Sequence, residues 1–295
     1  MQRTDDATGL FEAHRARLQR IAYRMLGSRA EAEDVVQNAW LRWMMADRSA
    51  VAAPYPFLAR IVTRLCLDEM KSARARRETY VGAWLPEPLV EAGEVEIDED
   101  DLTLALMVAL ERLSPLERAA FLLHDVFELP LGEVAEALER EPGAVRQLAV
   151  RARRHVQAAR PRFPVDRAEG ERIAQAFFAA STSGDVATLR TLLAEDVVLQ
   201  ADGGGKVLAF LNPITGMARL LRLFAGIRRK WGEGWATMVQ PAWIDGLPGY
   251  VSLERGAVLQ TTAFAIEGGR ITAIYITRNP DKLLRVAAMV GPVRS

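Results

Sequence analysis

The sequence predicts a multidomain protein in which two all-α domains are followed by an α+β domain. Three observations support this fold class. Apolar side chains recur at steps of three and four through most of residues 8–160, which is typical of amphipathic helices. Prolines, glycines and a run of acids interrupt these helices at residues 80–101. Beyond Pro164, helical segments precede several strand-like segments. The predicted domains are therefore residues 1–79, 102–162 and 165–295, with residues 80–101 as a linker.

Length and composition narrow the class of protein. The chain has 295 residues, half of them hydrophobic, which is enough to bury more than one core. Lysine plus arginine equals aspartate plus glutamate, so any nucleic-acid site has to be a local basic patch. With one cysteine and three histidines, we expect no disulfide, no metal site and no cofactor. We also expect a cytoplasmic protein without a leader or membrane segment, because no long apolar run occurs.

Three helices are predicted in the first domain. The first spans about residues 8–26 and ends at Gly27, and Ser28 with Glu31 forms a capping box that starts the second. The second helix exposes a partly acidic face, which is either a solvated surface or a docking surface. Pro56 starts the third helix. Its C-terminal half carries six positive residues against two acids between positions 60 and 77, which predicts a contact with nucleic acid.

A helix-turn-helix pattern dominates the second domain. Ser114 as N-cap, Pro115 and Glu117 predict a first helix to about Phe127, and a short helix follows at residues 131–138. Pro142 opens a last helix whose segment to Arg160 has five arginines and no acid. A short helix, a turn and a basic helix form the geometry that inserts a helix into the major groove of DNA. A solvated basic helix in an ordinary bundle would have the same composition.

The outward face of this last helix supplies the candidate DNA contacts. Arg146 and Gln147 lie in its N-terminal part and would face base edges. Arg153 and Arg154, further along, would meet phosphates, and Arg151 lies between the two groups.

The linker and the C-terminal domain carry weaker signals. Residues 91–101 hold seven acids and no base, which indicates a solvated flexible spacer or an imitation of nucleic acid. Beyond the linker we predict helices at about 168–181, 185–194 and 217–230. We predict strands in the segments 197–202, 206–210, 236–244, 257–267 and 270–278, with a hairpin turn at Gly268-Gly269. An antiparallel sheet curved round a helix would leave a cone-shaped cavity.

Residues 22–43, 56–77 and 113–156 resemble, in this order, regions 2.1–2.2, 2.3–2.4 and 4 of bacterial sigma factors of the extracytoplasmic-function class. The resemblance implies that the protein binds core RNA polymerase and promoter DNA as a monomer. The clamp helices of the largest subunit would bind Asp34, Gln37, Asn38 and Leu41. The −10 element would meet Arg64, Lys71, Arg74, Arg76 and Arg77, and the −35 element Arg146, Gln147, Arg151, Arg153 and Arg154. The first helices of region 4 would hold the flap of the second-largest subunit.

The C-terminal part resembles the SnoaL-like domains of the nuclear-transport-factor-2-like superfamily. One group of these sigma factors, numbered forty-one, carries such a domain in place of a separate anti-sigma protein, and its three motifs occur here unaltered. The first is Trp84, Leu85, Pro86, Glu87, Pro88 and Leu89. The second is Asp202, Gly203, Gly204, Gly205 and Lys206, and the third is Asn279, Pro280, Asp281, Lys282 and Leu283. The resemblance implies that the domain packs on the linker, with Asp202 and Lys206 near residues 84–89, and regulates the sigma domains. It further implies that residues 279–283 act as an inhibitory latch.

Two other interpretations stay open at the level of sequence. The C-terminal domain could be a small-molecule enzyme or a ligand sensor fused to a helix-turn-helix regulator, with Asp202, Glu254 or Asp196 in its pocket. The acids lack a histidine partner in this domain, so we expect a protein that is not an enzyme. Alternatively, a conventional repressor would bind duplex DNA tightly without polymerase.

Overall fold

The computed structural model describes residues 2–48, 51–78, 80–91, 103–157 and 165–291, and the side chains of all of these except residues 2–6 and 72–78. The described residues form two compact units. The first unit contains the residues up to Glu78 together with residues 106–157. The second contains residues 80–91 and 103–105 together with residues 165–291. The linker therefore groups with the C-terminal domain rather than with the helices on either side of it.

Three helices begin the first unit: α1 (Gln2–Leu26), α2 (Arg29–Met45) and α3 (Pro54–Glu78). The helix stop predicted at Gly27 is confirmed, with a positive φ of 71°. The predicted cap is also present, because the hydroxyl of Ser28 accepts from the backbone N–H of Glu31. The third helix begins two residues before the predicted Pro56. Trp43 is 1% exposed and donates its indole N–H to the carbonyl of Ala7, which joins α2 to α1.

The remaining helices of this unit are α5 (Pro115–Phe121), α6 (Leu131–Leu138) and α7 (Pro142–Val156), preceded by α4 (Leu104–Leu110). The capping box of Ser114 and Glu117 is confirmed with both of its hydrogen bonds. The first helix of the motif was predicted as continuous to Phe127, but it becomes a π-helical turn at Leu122–Val126. The extra residue in this turn lets Leu122, Leu123 and Val126 all be buried. The predicted span of α6 is confirmed.

The second unit packs helices against a seven-stranded sheet. The helices are α8 (Arg167–Ser183), α9 (Val186–Leu192), α10 (Met217–Trp231) and α11 (Leu284–Val290). The strands are β1 (Val90–Glu91), β2 (Leu193–Asp202), β3 (Ile214–Thr215), β4 (Ala236–Ile244), β5 (Leu247–Glu254), β6 (Val258–Glu267) and β7 (Arg270–Thr277). Their order across the sheet is β1-β4-β5-β6-β7-β2-β3. An α+β domain is thereby confirmed.

Three details of the predicted sheet were wrong. The strand β5 was missed because all eight of its residues are buried and no alternation marks it. Its signal was the dipeptide Asp245-Gly246, whose φ angles of 46° and 67° form the hairpin turn before it. Residues 206–210 form no strand, since Ala209 and Phe210 pack on the core from a loop. The sheet is mixed rather than antiparallel, because β2 and β7 run parallel. The hairpin at Gly268-Gly269 is confirmed.

The core of the second unit lies between the helices and the sheet. Phe177 of α8 makes edge contacts with Phe224 of α10 and Phe264 of β6. Tyr250 of β5 lies beside Phe264, and all four rings are at most 5% exposed. These aromatic rings are buried between the helices and the sheet, where the sequence predicts a cone-shaped cavity.

The linker adds a strand to one edge of this sheet. Val90 and Glu91 pair with Ile244 and Trp243 of β4. Leu89 and Asp245 exchange backbone and side-chain hydrogen bonds beside this pair, at 2.9 and 3.1 Å. Residues 80–91 therefore pack on the C-terminal domain, as the resemblance implies for the motif at residues 84–89. Most of the predicted acidic run, residues 92–101, lies outside the described residues.

Candidate functional sites

The exposed side of α7 has the arrangement of side chains that the sequence predicts. Val145, Leu148, Ala149, Ala152 and Val156 are buried at helical spacing. The opposite face presents five exposed polar side chains: Arg146, Gln147, Arg151, Arg153 and Arg154. The N-cap position is held by Glu141, whose side chain makes no capping bond. A short helix, a tight turn and a basic helix are thus positioned as in a helix-turn-helix.

Two acids outside α7 contact this basic face. The carboxylate of Glu117 accepts from Nε of Arg151 at 2.8 Å, and that of Asp125 accepts from Nε of Arg153 at 2.6 Å. The pKa of Glu117 lies below its ordinary value, mainly because the hydroxyl of Ser114 donates to the carboxylate and secondarily because Arg151 does. The sequence analysis missed both acids, because their contacts join residues 34 and 28 positions apart.

The basic half of α3 is only partly described. Arg74, Arg76 and Arg77 are candidate contacts whose side chains lie outside the described residues. Lys71 is exposed and pairs with Asp68 one turn earlier, at 2.8 Å. Arg64 is half-buried, and its guanidinium pairs with Glu139 at the end of α6, at 2.9 Å. It also donates to the carbonyl of Glu136 at 3.2 Å. The guanidinium of Arg64, a candidate DNA contact, is therefore already bonded to residues at the end of α6.

A stripe along α2 is exposed, as the sequence predicts for a docking surface. Gln37, Asn38 and Leu41 follow Asp34 by three, four and seven residues, which places all four on one helix face, and all are exposed. Leu41 is 54% exposed, and Met45, one turn further on, is 82% exposed. Two large apolar side chains beside polar ones form a surface suited to another protein.

The three motifs around the linker meet at the side chain of Asp202. This carboxylate is 0% exposed and accepts four hydrogen bonds. One oxygen accepts from the hydroxyl of Tyr80 at 2.5 Å and from the backbone N–H of Gly204 at 3.0 Å. The other accepts from the backbone N–H of Leu85 at 2.9 Å and from Nζ of Lys282 at 2.7 Å. The carboxylate thus links the linker, its own loop and the chain after β7.

Lys282 is held on several sides. Besides the Asp202 carboxylate, its ammonium group donates to the carbonyl of Leu85 at 2.5 Å. The same group lies 4.2 Å from the ring centre of Trp84 and 5.0 Å from that of Tyr80, which are cation–π distances. Its side chain is 14% exposed. An ammonium group this buried is stable because a carboxylate, a carbonyl and two rings replace its water.

The rest of the third motif supports this contact. The amide of Asn279 donates to the hydroxyl of Tyr80 at 2.9 Å, and Leu283 is buried. Burial and the hydrogen bond to Asp202 raise the pKa of Tyr80 far above its ordinary value, so the hydroxyl keeps its proton. Tyr80 was missed by the sequence analysis, although an aromatic residue just before the linker motif was a possible signal. Pro280 begins a short 3-10 helix that places Lys282.

The other members of the motifs differ in burial. Pro86 and Pro88 are buried, and Glu87 lies 3.9 Å from Arg285. Lys206 pairs with Asp281 at 2.5 Å, where both side chains are more than half exposed.

Two glycines of the second motif are required by close contacts. A Cβ atom on Gly203 would lie 2.1 Å from the carbonyl oxygen of Val207. A Cβ on Gly204 would lie 2.3 Å from the amide nitrogen of Asn279, and φ is +61° there. Gly205 also has a positive φ and faces Val81 of the linker. The loop thus approaches the linker and the third motif more closely than side chains would allow.

The three acids proposed for a catalytic pocket lie in different surroundings. Asp202 faces the linker. Glu254 is buried and pairs with Arg278 at 2.6 Å, and Asp196 is exposed rather than directed inward. Within the described part of the chain, no three metal-ligating side chains cluster. Nor is any described helix long and apolar enough to cross a membrane.

The fold and these surfaces define a DNA-binding protein with a helix-turn-helix and a fused α+β domain. Family models for sigma-70 region 2 and sigma-70 region 4 match residues 10–76 and 103–156. The chain is 39% identical to the ECF RNA polymerase sigma factor SigJ of Mycobacterium tuberculosis over 92% of this chain and 91% of that protein. It is 33% identical to the probable ECF sigma factor SigI of the same species over 99% of both chains.

The crystal structure of SigJ superimposes with a TM-score of 0.76 at 34% identity and covers 97% of this chain and 100% of that one. The chain therefore belongs to the ECF RNA polymerase sigma factors, the alternative sigma factors of the sigma-70 family. Its C-terminal α+β domain is the SnoaL-like extension also present in SigJ.

Proposed function

We propose that this sigma factor directs promoter-specific transcription and is regulated by its own C-terminal domain. The exposed stripe of α2, including Leu41, binds the clamp helices of the largest polymerase subunit. The C-terminal half of α3 binds the −10 element and α7 reads the −35 element, while the first helices of region 4 hold the flap of the second-largest subunit. The protein does this as a monomer in the cytoplasm. Its exposed basic face on α7 supports the assignment of DNA contacts.

The observation that carries the regulatory part is the buried contact of Asp202 with Tyr80, Leu85 and Lys282. The linker joins α3 to α4, so its path limits how far regions 2 and 4 can separate. Residues 80–91, at roughly 3.4 Å per extended residue, would otherwise give about 40 Å of reach. While they are docked on the C-terminal domain, that reach is lost, and the two regions are restrained from spanning both promoter elements.

Release of the linker is the proposed activating step. A two-state equilibrium moves from 1:99 to 99:1 with about 5.5 kcal/mol, and a single buried ion pair supplies a large part of that. A signal that weakens the contact around Asp202 therefore changes the free energy of docking enough to activate the factor. No catalysis is needed, because binding of unpaired bases offsets the cost of opening the duplex.

The test is transcription of fragmented genomic DNA by sigma-free core polymerase. Full-length protein is compared with a chain cut before Asn279, which lacks Lys282, and with a chain cut after Gly291, which keeps α11. We expect discrete transcripts that strengthen only with the first cut. Transcripts of equal strength from all three would refute the latch, and transcripts from none would refute the promoter-directing role.

The enzyme alternative receives no support from the acids of the C-terminal domain. Asp202 and Glu254 are both engaged in ion pairs, and the sequence has no histidine beyond residue 155. The aromatic rings buried between the helices and the sheet leave an apolar interior, which would suit only an apolar small ligand.

A further inference from the structure

Arg151 and Arg153, on the proposed DNA-facing side of α7, form ion pairs with acids of other elements. Glu117 belongs to α5 and Asp125 to the π-helical turn, and their side chains are only 13% and 16% exposed. Each acid accepts from Nε of its arginine, Arg151 or Arg153. The two Nη groups of each arginine make no other hydrogen bond or ion pair with the described residues. Each guanidinium is thus fixed on its inner edge, and its outer edge is available.

A guanidinium held in this way is oriented before DNA arrives. Arginine recognises guanine edges and phosphates with its Nη groups in a planar, bidentate geometry. A free arginine side chain has to lose rotamer freedom to do so, which weakens binding by roughly two- to tenfold for each side chain ordered. An arginine side chain that a carboxylate already orders has lost most of this rotamer freedom during folding.

The placement of Asp125 indicates that its ion pair with Arg153 is not a consequence of helix capping. Asp125 caps no helix, and its second oxygen is buried without a hydrogen-bond partner among the described residues. Its described hydrogen bond is the one to Arg153. The π-helical turn inserts an extra residue just where this acid faces α7. Glu117, by contrast, serves both the capping box of Ser114 and Arg151.

We propose that Glu117 and Asp125 are positioning residues that preorient Arg151 and Arg153 for the −35 duplex. This inference rests on the proposed role of α7 and adds positioning residues to it. The acids themselves do not touch DNA. Glu117 sets the direction of Arg151 and so controls the preference for the correct −35 sequence, whereas Asp125 sets the direction of Arg153 and so controls the affinity for the phosphates of the duplex.

The test uses holoenzyme assembled from core polymerase and full-length sigma variants. Affinity is measured for a promoter recovered in the genomic transcription above and for the same promoter with a scrambled −35 element. Glu117→Gln should lower the ratio of the two affinities by roughly two- to tenfold. Asp125→Asn should lower both affinities by roughly two- to tenfold and leave their ratio unchanged, because Arg153 meets phosphates. Ser114→Ala is the control, because it removes both hydrogen bonds between the Ser114 hydroxyl and Glu117 and keeps both partners of the pair of Glu117 and Arg151. It should reduce thermal stability and leave the ratio unchanged.

The outcomes separate the two claims. If Arg151→Ala leaves the ratio unchanged and Arg153→Ala leaves both affinities unchanged, the assignment of α7 to the −35 element fails. If the two arginine variants weaken binding in these ways while Asp125→Asn and Glu117→Gln have no effect, only the positioning role fails. An equal loss of the ratio in Ser114→Ala would show that the effect comes from helix stability, and it would overturn the positioning role. A rise in the ratio would show that the acids compete with DNA instead.

A second observation concerns the basic face of α3. Within the first unit, acids at the C-terminal end of α6 contact this face. Arg64 pairs with Glu139 and donates to the carbonyls of Glu136 and Ala137, which are the C-terminal carbonyls of α6. Arg60 pairs with Glu136 at 3.4 Å and lies over the ring of Phe57. A groove beside them is lined by the loop before α3, by the start of α3 and by α6: Val51, Ala52, Ala53, Pro56, Phe57, Arg60, Glu133 and Glu136.

These carboxylates pair with Arg60 and Arg64, so a DNA strand that uses Arg64 would have to displace Glu139. We infer that the C-terminal end of α6 masks the −10 face of α3 in the free protein, so that region 4 covers region 2. This restraint is built into the first unit and adds to the docking of the linker. It rests on the proposed role of α3.

The test measures binding of a fluorescent single strand, the non-template −10 strand of the same promoter, to the free full-length protein. The double variant Glu136→Gln and Glu139→Gln should bind about two- to tenfold more tightly, because two half-exposed ion pairs no longer compete. The control, Glu195→Gln with Glu267→Gln, changes net charge equally at exposed sites of the second unit. Equal affinity in native, control and variant proteins would overturn the masking. If native holoenzyme does not bind the strand either, the assignment of α3 to the −10 element fails.

Discussion

Replacement of Asp202 by asparagine tests the proposed off state most directly. The change keeps the shape of the side chain but puts an amide NH₂ where two donors now point, and it leaves Lys282 without its charge partner. Loss of one member of a buried ion pair costs about 3–5 kcal/mol. The lower figure already moves the ratio of docked to undocked linker by roughly two orders of magnitude. We expect the backbone N–H of Leu85 to exchange with deuterium much faster, and promoter-dependent transcription to rise.

The matched control is Lys206→Met. Lys206 pairs with Asp281 in solvent, so its loss should change stability by less than about 1 kcal/mol and leave exchange at Leu85 unaltered. The double variant Asp202→Asn with Lys282→Met should lose less than the sum of the single changes, because no ammonium is left unpaired. If exchange and transcription stay at native levels in a folded Asp202→Asn protein, the reasoning about this contact is refuted.

Three further predictions concern other parts of the chain. Gly204→Ala places a Cβ against the Asn279 amide, so exchange across residues 80–91 should increase, and native exchange would contradict the close contact. Leu41→Asp should weaken binding to core polymerase about tenfold or more in a titration while leaving the melting temperature unchanged, since Leu41 is exposed. The lowered pKa of Glu117 means that its stabilising contribution is complete above about pH 5 and is lost as pH falls through its folded pKa. Urea unfolding between pH 5 and pH 3 should therefore show a smaller loss for Glu117→Gln than for the native chain, and equal losses would disprove this.

Local signals determined much of the helical part. The hydroxyls of Ser28 and Ser114 reach backbone N–H groups three residues away, so a cap can be predicted from a few neighbouring letters. Helical periodicity likewise determined which arginines of α7 face outward. The family resemblance singled out the motifs at residues 84–89, 202–206 and 279–283, and these do meet in the structure.

Long-range pairing is where the sequence alone was insufficient. The strand β5 was missed, and the parallel pairing of β2 with β7 was not foreseen, because both depend on which distant segments become neighbours. The same holds for the pairs of Arg151 with Glu117 and of Arg64 with Glu139.

By itself, then, the sequence determined the order of the domains, the ends of most helices and the identity of the exposed basic face, because these follow from interactions within one or two helical turns. Only the tertiary structure decided that the linker is an edge strand and that Asp202 holds Lys282, 80 residues away. It also decided that Tyr80 meets Asn279 across 199 residues. Such contacts depend on the packing of whole elements, which brings together side chains whose spacing along the chain carries no signal.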